Sequence, residues 1–260
     1  MINRINGLPH EDGGNKILEW LLPRFHVEGD DNKLEAKCQG EKDDKIKLMN
    51  EKFAKVKYCI WDVDLTFYTV SPQMKKEFQN KIYEYISRKL KIPIDEAKQS
   101  YKKEFKRKKS KTAAMEALGL ERDAIQEVID SIDKSRYLKG DLRLVQLFRH
   151  LKHYKHAIVT NSTRTSMEKT LKILGLEKNS FETIITKEDV STYKPSPEPF
   201  IKVMDMLGAK AEECVSIGDV DHSDIIPAKK LGMKTIFVWG KSKYADASVP
   251  TIYEVERLLV

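Results

Sequence analysis

The chain has 260 residues, 40% of them hydrophobic and 33% charged, enough apolar material for one large core or for a core with a smaller insert. No apolar run approaches the ~20 residues that span a bilayer, and residues 1–14 lack the basic and apolar stretches of a signal peptide, so a cytoplasmic protein is expected. The formal net charge of +7 is uneven: residues 70–140 hold 18 Lys and Arg against 11 Asp and Glu, a field that attracts anions.

Residues 1–55 read as an N-terminal extension of unassigned role, with one amphipathic stripe (Ile17, Leu18, Leu21, Leu22, Phe25) expected to pack as a helix and a charged segment after it. Five apolar runs then read as strands: Val56–Trp61, Ala157–Thr160, Thr183–Thr186, Cys214–Ile217 and Lys234–Val238. Helix-like stretches precede the later four: Asp141–Leu151, Arg164–Leu174, Glu198–Leu207 and Asp224–Leu231. Gly175, Gly208 and Gly232 follow three of them, where a left-handed cap is wanted. Strands alternating with helices predict an α/β fold, a parallel sheet covered on both faces.

The long interval between the first two strands breaks this alternation, because a single crossover helix needs far less chain. Pro72–Leu90, Asp95–Lys109, Ala113–Leu118 and Arg122–Ile132 have helical spacing. Residues 71–139 are therefore expected to be an inserted helical domain, leaving 56–70 and 140–260 as the core. Cys38, Cys59 and Cys214 are odd in number and far apart; Cys59 and Cys214 lie inside strand-like runs and read as buried, reduced thiols.

In an open parallel sheet, ligands sit at the carboxyl ends of the strands. The first strand runs into Asp62-Val63-Asp64-Leu65-Thr66, the second into Thr160-Asn161, and the fourth into Gly218-Asp219 with Asp224 five residues later. Lys194, in Tyr193-Lys194-Pro195, follows the third. Four acids, a hydroxyl and a lysine would meet on one rim. Carboxylates so clustered need a cation, and hard oxygen ligands suit Mg²⁺.

These segments, in this order, resemble the four motifs of the haloacid dehalogenase superfamily: D-x-D-x-T, a strand-ending Thr, Lys-Pro and G-D-x4-D. The resemblance covers roughly residues 56–240. It implies a Rossmann-like core with strand order 5-4-1-2-3 and a helical cap of the C1 type in the insert. It also implies roles. Asp62 would be the nucleophile that takes up the phosphoryl group, and Asp64 the general acid and base. Thr160, Asn161 and Lys194 would hold the phosphoryl oxygens. Mg²⁺ would lie on Asp62, the Asp64 carbonyl, Asp219 and Asp224.

Within the superfamily, dehalogenases lack the second aspartate, phosphonate-cleaving members typically carry Ala there, and sugar phosphomutases usually carry Val or Ala in place of Thr66. Asp64 with Thr66 favours a phosphomonoesterase acting on a small phosphorylated metabolite. Phe67-Tyr68, similar to the Leu-Tyr of pyrimidine nucleotidase-like members, makes a nucleoside monophosphate the first candidate; phosphoglycolate and sugar phosphates stay open. Two positions depart from the pattern: Leu65 stands where Gly or Asn is usual, in a tight turn, and Val220 where Ser is frequent. The rival readings are a phosphate-binding regulatory protein with vestigial catalysis and a nucleic-acid end phosphatase. Neither a membrane partner nor an oligomeric state is indicated.

Three further features carry weaker signals. The basic run 102–111 reads as a solvated helix face before a nucleic-acid patch, since aromatic stacking residues are sparse in it. His150, His153 and His156 read as exposed rather than as a zinc site, because no acid or cysteine completes the set. His222, between Asp219 and Asp224, reads as a loop residue.

Overall fold

The computed structural model describes residues 51–108 and 110–259. Most of the predicted N-terminal extension, including the Ile17–Phe25 stripe and Cys38, lies outside the described residues, as does Lys109.

The core is one six-stranded, all-parallel sheet. Its strands are β1 (Tyr58–Trp61), β2 (Lys155–Val159), β3 (Thr183–Ile185), β4 (Cys214–Gly218), β5 (Lys234–Val238) and β6 (Ala247–Val249), in the order β3-β2-β1-β4-β5-β6. The expected order of five is present, and β6 extends it at the edge. β6 is three residues long, Ala-Ser-Val, too short to show a period.

Alternation along β1 sends successive side chains to opposite faces. Cys59 and Trp61 join a large cluster with Ile158, Val215, Ile217 and Ile236, under α5 (Leu142–His150) and α6 (Arg164–Leu174). Ile60 faces a second cluster with Ala157, Phe200 and Val203, under α7 (Glu198–Leu207). Both faces are therefore covered, as near-continuous apolar strands require. The Cys59 and Cys214 thiols are free and buried, and burial pushes both up. No helix among the described residues is long and apolar enough to cross a membrane.

Between β1 and β2 lie α1 (Pro72–Leu90), α2 (Ile94–Lys108), α3 (Lys111–Ala117) and α4 (Ala124–Asp130). Ser71 caps α1 by accepting from the Met74 N–H at 3.1 Å, and Pro72 occupies the first turn, where a missing N–H costs nothing. These helices enclose a cluster of their own: Ile82, Tyr85, Ile86, Tyr101, Met115 and Val128. Burying each such side chain contributes about 1.5–3 kcal/mol. Phe78 packs against this cluster and against the main core, tying the insert to the sheet.

α8 (Ile226–Lys230) is shorter than the stretch Asp224–Leu231 suggested. A wide π-type turn, Asp221–Ile225, comes first and carries Asp224 inward. The last helix among the described residues is α9 (Glu256–Leu259).

His156 corrects an expectation. It is buried on β2 rather than exposed; its Nδ1 accepts from Trp61 Nε1 at 3.1 Å and its Nε2 donates to the Leu151 carbonyl at 3.1 Å. The expected strand begins at Ala157, one residue past His156, whereas β2 starts at Lys155 and takes His156 into the sheet. His150 is exposed and pairs with Glu256 at 2.9 Å.

Candidate active site

The Asp62 N–H donates to the Ile217 carbonyl at 2.9 Å, so the β1–β4 ladder holds the backbone of Asp62 one residue past the strand. The chain then turns tightly: Thr66 and Phe67 both donate to the Val63 carbonyl, at 3.2 and 3.0 Å. Leu65 takes the left-handed region, φ 65°, which explains why a small residue is usual at this position. Its side chain packs against the core. Thr66, fully buried, places its Oγ1 at 3.1 Å from Asp62 Oδ2 and 3.2 Å from Asp219 Oδ1. The Trp239 indole N–H donates to the Thr66 carbonyl at 2.8 Å, from just beyond β5.

Across the rim, Asp224 lies against Gly218: a Cβ there would sit 2.5 Å from the Asp224 carboxyl. The glycine is required by close approach rather than by its backbone angles. The Asp224 carboxylate accepts from the Val220 N–H at 3.0 Å. Lys194 Nζ bridges two acids, at 2.8 Å from Asp62 Oδ1 and 2.7 Å from Asp224 Oδ1. Asp62, Asp219 and Asp224 each offer a ligand oxygen, all within 4.8 Å of one another.

The electrostatics of this set call for a cation. Burial raises Asp62, with Asp224 and Asp64 adding to it against the pull of Lys194. Burial, then Asp224 and Asp62, push Asp219 up to about 8. Lys194 resists burial and stays firmly charged because Asp224 and Asp62 flank it. Three carboxylates against one lysine leave two negative charges on hard oxygen ligands, which a divalent ion of the Mg²⁺ kind would cancel.

Thr160 is buried at the end of β2; its N–H donates to the Ile185 carbonyl at 2.9 Å and its Oγ1 accepts from the Ser162 N–H at 3.2 Å. Asn161 donates from Nδ2 to the Lys194 carbonyl at 2.9 Å, while its buried Oδ1 has no partner among the described residues.

Asp64 is not one of the three clustered acids, and it has its own set of donors, which no motif marks. Lys134 Nζ lies 2.5 Å and the Tyr68 hydroxyl 2.6 Å from its Oδ1, and the Ser162 hydroxyl donates to its Oδ2. Burial would raise Asp64, but Lys134, Ser162 and Tyr68 outweigh it and hold the carboxyl below the usual range. Lys134 itself is buried, with Ser166 and Thr170 at 3.3 and 3.2 Å. It sits where the chain returns from the helical insert. Gln126, on α4, donates to Ser162 at 2.9 Å, so the insert reaches Asp64 by a second route. No local pattern marks Lys134 or Gln126; only the fold brings them to Asp64.

The profile of the haloacid dehalogenase-like hydrolases matches residues 59–238, most of the described chain and every residue of the site just described except Trp239. The chain belongs to this family. Among curated relatives it is 35% identical over 128 residues to pyrophosphatase PpaX of Halalkalibacterium halodurans, covering 46% of this chain and 58% of that protein. It is 41% identical over 85 residues to pyrophosphatase PpaX of Bacillus cereus strain AH820, covering 33% and 38%. The matched part thus falls short of two thirds of either relative. Among solved structures, a HAD phosphatase from Thermococcus onnurineus superposes with a TM-score of 0.58 at 26% identity, over 78% of this chain and 98% of that one. A hydrolase from Pseudomonas syringae shares the fold, with a TM-score of 0.51 at 19% identity over 76% and 95%.

Proposed function

We propose that this chain is a Mg²⁺-dependent phosphomonoesterase that works through an aspartyl-phosphate on Asp62 and acts on a small phosphorylated metabolite. The observation that carries the reading is the Lys194 bridge between Asp62 and Asp224 with Asp219 alongside, on one sheet rim. The names of the relatives, pyrophosphatase and phosphatase, agree with cleavage of a phosphate bond.

In this reading Asp62 Oδ attacks phosphorus in line, its carboxylate kept anionic by Lys194. Thr160, Asn161 and Lys194 take the phosphoryl oxygens; the Thr160 hydroxyl donates to none of the described residues and is free to do so. Asp62, the Asp64 carbonyl, Asp219 and Asp224 would hold Mg²⁺, which would shield charge so that one anion can attack another. Asp64, which Lys134 holds ionised here, takes a proton from the water that cleaves the acyl phosphate; to give one to the leaving oxygen it would first have to take up a proton against the pull of Lys134. Residues 56–70 and 140–260 serve as the catalytic core and 71–139 as the cap. A cytoplasmic setting fits the free thiols.

The test is p-nitrophenyl phosphate turnover with Mg²⁺, with chelator, and by Asp62→Asn. Activity should vanish with chelator, and the variant should lose at least about a thousand-fold, as removal of a covalent nucleophile does. Full turnover in chelator would refute the metal assignment, and more than a tenth of wild-type activity in the variant would refute the nucleophile. Folded protein inactive on every phosphate ester would support the vestigial, regulatory reading instead.

A further inference from the structure

A cavity of about 550 Å³ opens beside Lys194 and Asn161. Its far wall comes from the helical insert: Glu116 on α3, Arg122 and Asp123 before α4, and Gln126 on α4. Tyr193 and His222 line the core side. A ligand whose phosphoryl group lies on Lys194 and Asn161 would extend into this space.

The charges on its walls nearly cancel. Lys194 is spent on Asp62 and Asp224. Away from it, Arg122 is the one fixed cation, its guanidinium 5.9 Å from the centre of the Tyr193 ring, and it makes no ion pair among the described residues. Glu116 and Asp123 oppose it; only Asp123 has an ionic partner, Lys187, at 4.0 Å. The Tyr193 phenol senses the outcome: burial first, then Asp123 and Glu116 against Arg122, raise it above its usual value. A second phosphate carries about two negative charges at neutral pH. Placed here, it would meet one cation and two carboxylates, of which Asp123 already shares Lys187. A neutral leaving group with hydroxyls or ring nitrogens meets instead donors and acceptors: Gln126, Tyr193, His222, Glu116 and Asp123.

We infer that the substrate's leaving group is an uncharged, hydroxylated organic group, and that Glu116 and Asp123 select against inorganic diphosphate and other substrates with a second phosphate. This rests on the phosphomonoesterase reading above and departs from the activity named for the PpaX relatives. The chemistry at Asp62 is the same for each of these substrates.

The experiment measures kcat/KM of the Mg²⁺-loaded full chain on p-nitrophenyl phosphate, ribose 5-phosphate, a nucleoside monophosphate and inorganic diphosphate. At least one of the two natural monoesters should exceed diphosphate by tenfold or more. In the double variant Glu116→Gln/Asp123→Asn, with an unchanged melting temperature, the ratio of diphosphate to p-nitrophenyl phosphate activity should rise at least fivefold. Diphosphate turned over as well as the best monoester would overturn the inference while leaving the phosphatase reading standing. A preference for monoesters with no change of ratio in the variant would overturn the role of Glu116 and Asp123. Inactivity on all four would overturn the phosphatase reading and this inference with it.

Discussion

Thr66 Oγ1 carries one proton and stands between two carboxylates, Asp62 and Asp219, so where Thr66 sits sets how both acids are aimed. Its backbone is held from outside the turn by the Trp239 indole, which rests edge-on against Tyr253 at 6.0 Å between ring centres. Trp239→Phe keeps the ring and removes that hydrogen bond. The expected result is a fall of about tenfold in kcat with KM little changed, and a stability loss of about 1 kcal/mol. Kinetics and urea melts on the same preparations check it; an unchanged kcat would show that the turn needs no such clamp. Lys134, like Lys194, is a buried cation of the site. It is buried beside Asp64, and removing one partner of a buried pair costs about 3–5 kcal/mol, since the other charge is left unmatched. Lys134→Met should show that loss in urea melts. Adding Asp64→Asn should restore part of it, and strictly additive losses would mean that the pair is not coupled.

Strands β1 and β2 meet through Trp61 and His156, and burial lowers His156 from an ordinary 6.5 to about 4. The unfolded chain therefore binds a proton at a higher pH than the folded one. Stability is full above pH 6.5 and is lost as pH falls from 6.5 towards about 4, by up to about 3 kcal/mol. His156→Gln keeps an acceptor for Trp61 without a titrating ring, so its stability should fall less across this window in urea melts at a series of pH values. Equal slopes for the two proteins would rule out His156 as the source. The same residue shows what a sequence conveys and what it hides. Asp62, Thr160 and Asp219 were legible because an apolar run reports a strand, and a strand's end reports the rim. His156 reads as exposed because a polar residue before an apolar run marks no strand, while β2 in fact begins at Lys155. β6 is too short to have a period, and Lys134 and Gln126 reach Asp64 only through the packing of the insert, which no local pattern encodes.

The molecule's excess positive charge lies in the segment that forms the insert, and much of it is on α2, where Lys102, Lys103, Lys106, Arg107 and Lys108 are all exposed. Two consequences compete. A basic field can draw anionic substrates and raise kcat/KM at low salt. Against this, charges separated by more than about 8 Å are largely screened at physiological ionic strength. The walls of the cavity decide between them: they begin at Ser110, and no α2 residue lines it. Arg107 is moreover engaged by Glu104 on its own helix, at 2.5 Å. The change Lys102→Gln/Lys103→Gln/Lys106→Gln/Lys108→Gln should therefore leave kcat/KM within about twofold at physiological salt, with any deficit appearing only in dilute buffer. Measuring kcat/KM for both proteins at two salt concentrations checks this, and a gel shift with an oligonucleotide on the same samples separates the remaining alternative. A large loss at physiological salt would make α2 part of the substrate's approach. Loss of oligonucleotide binding with intact turnover of small esters would assign the helix to nucleic acid.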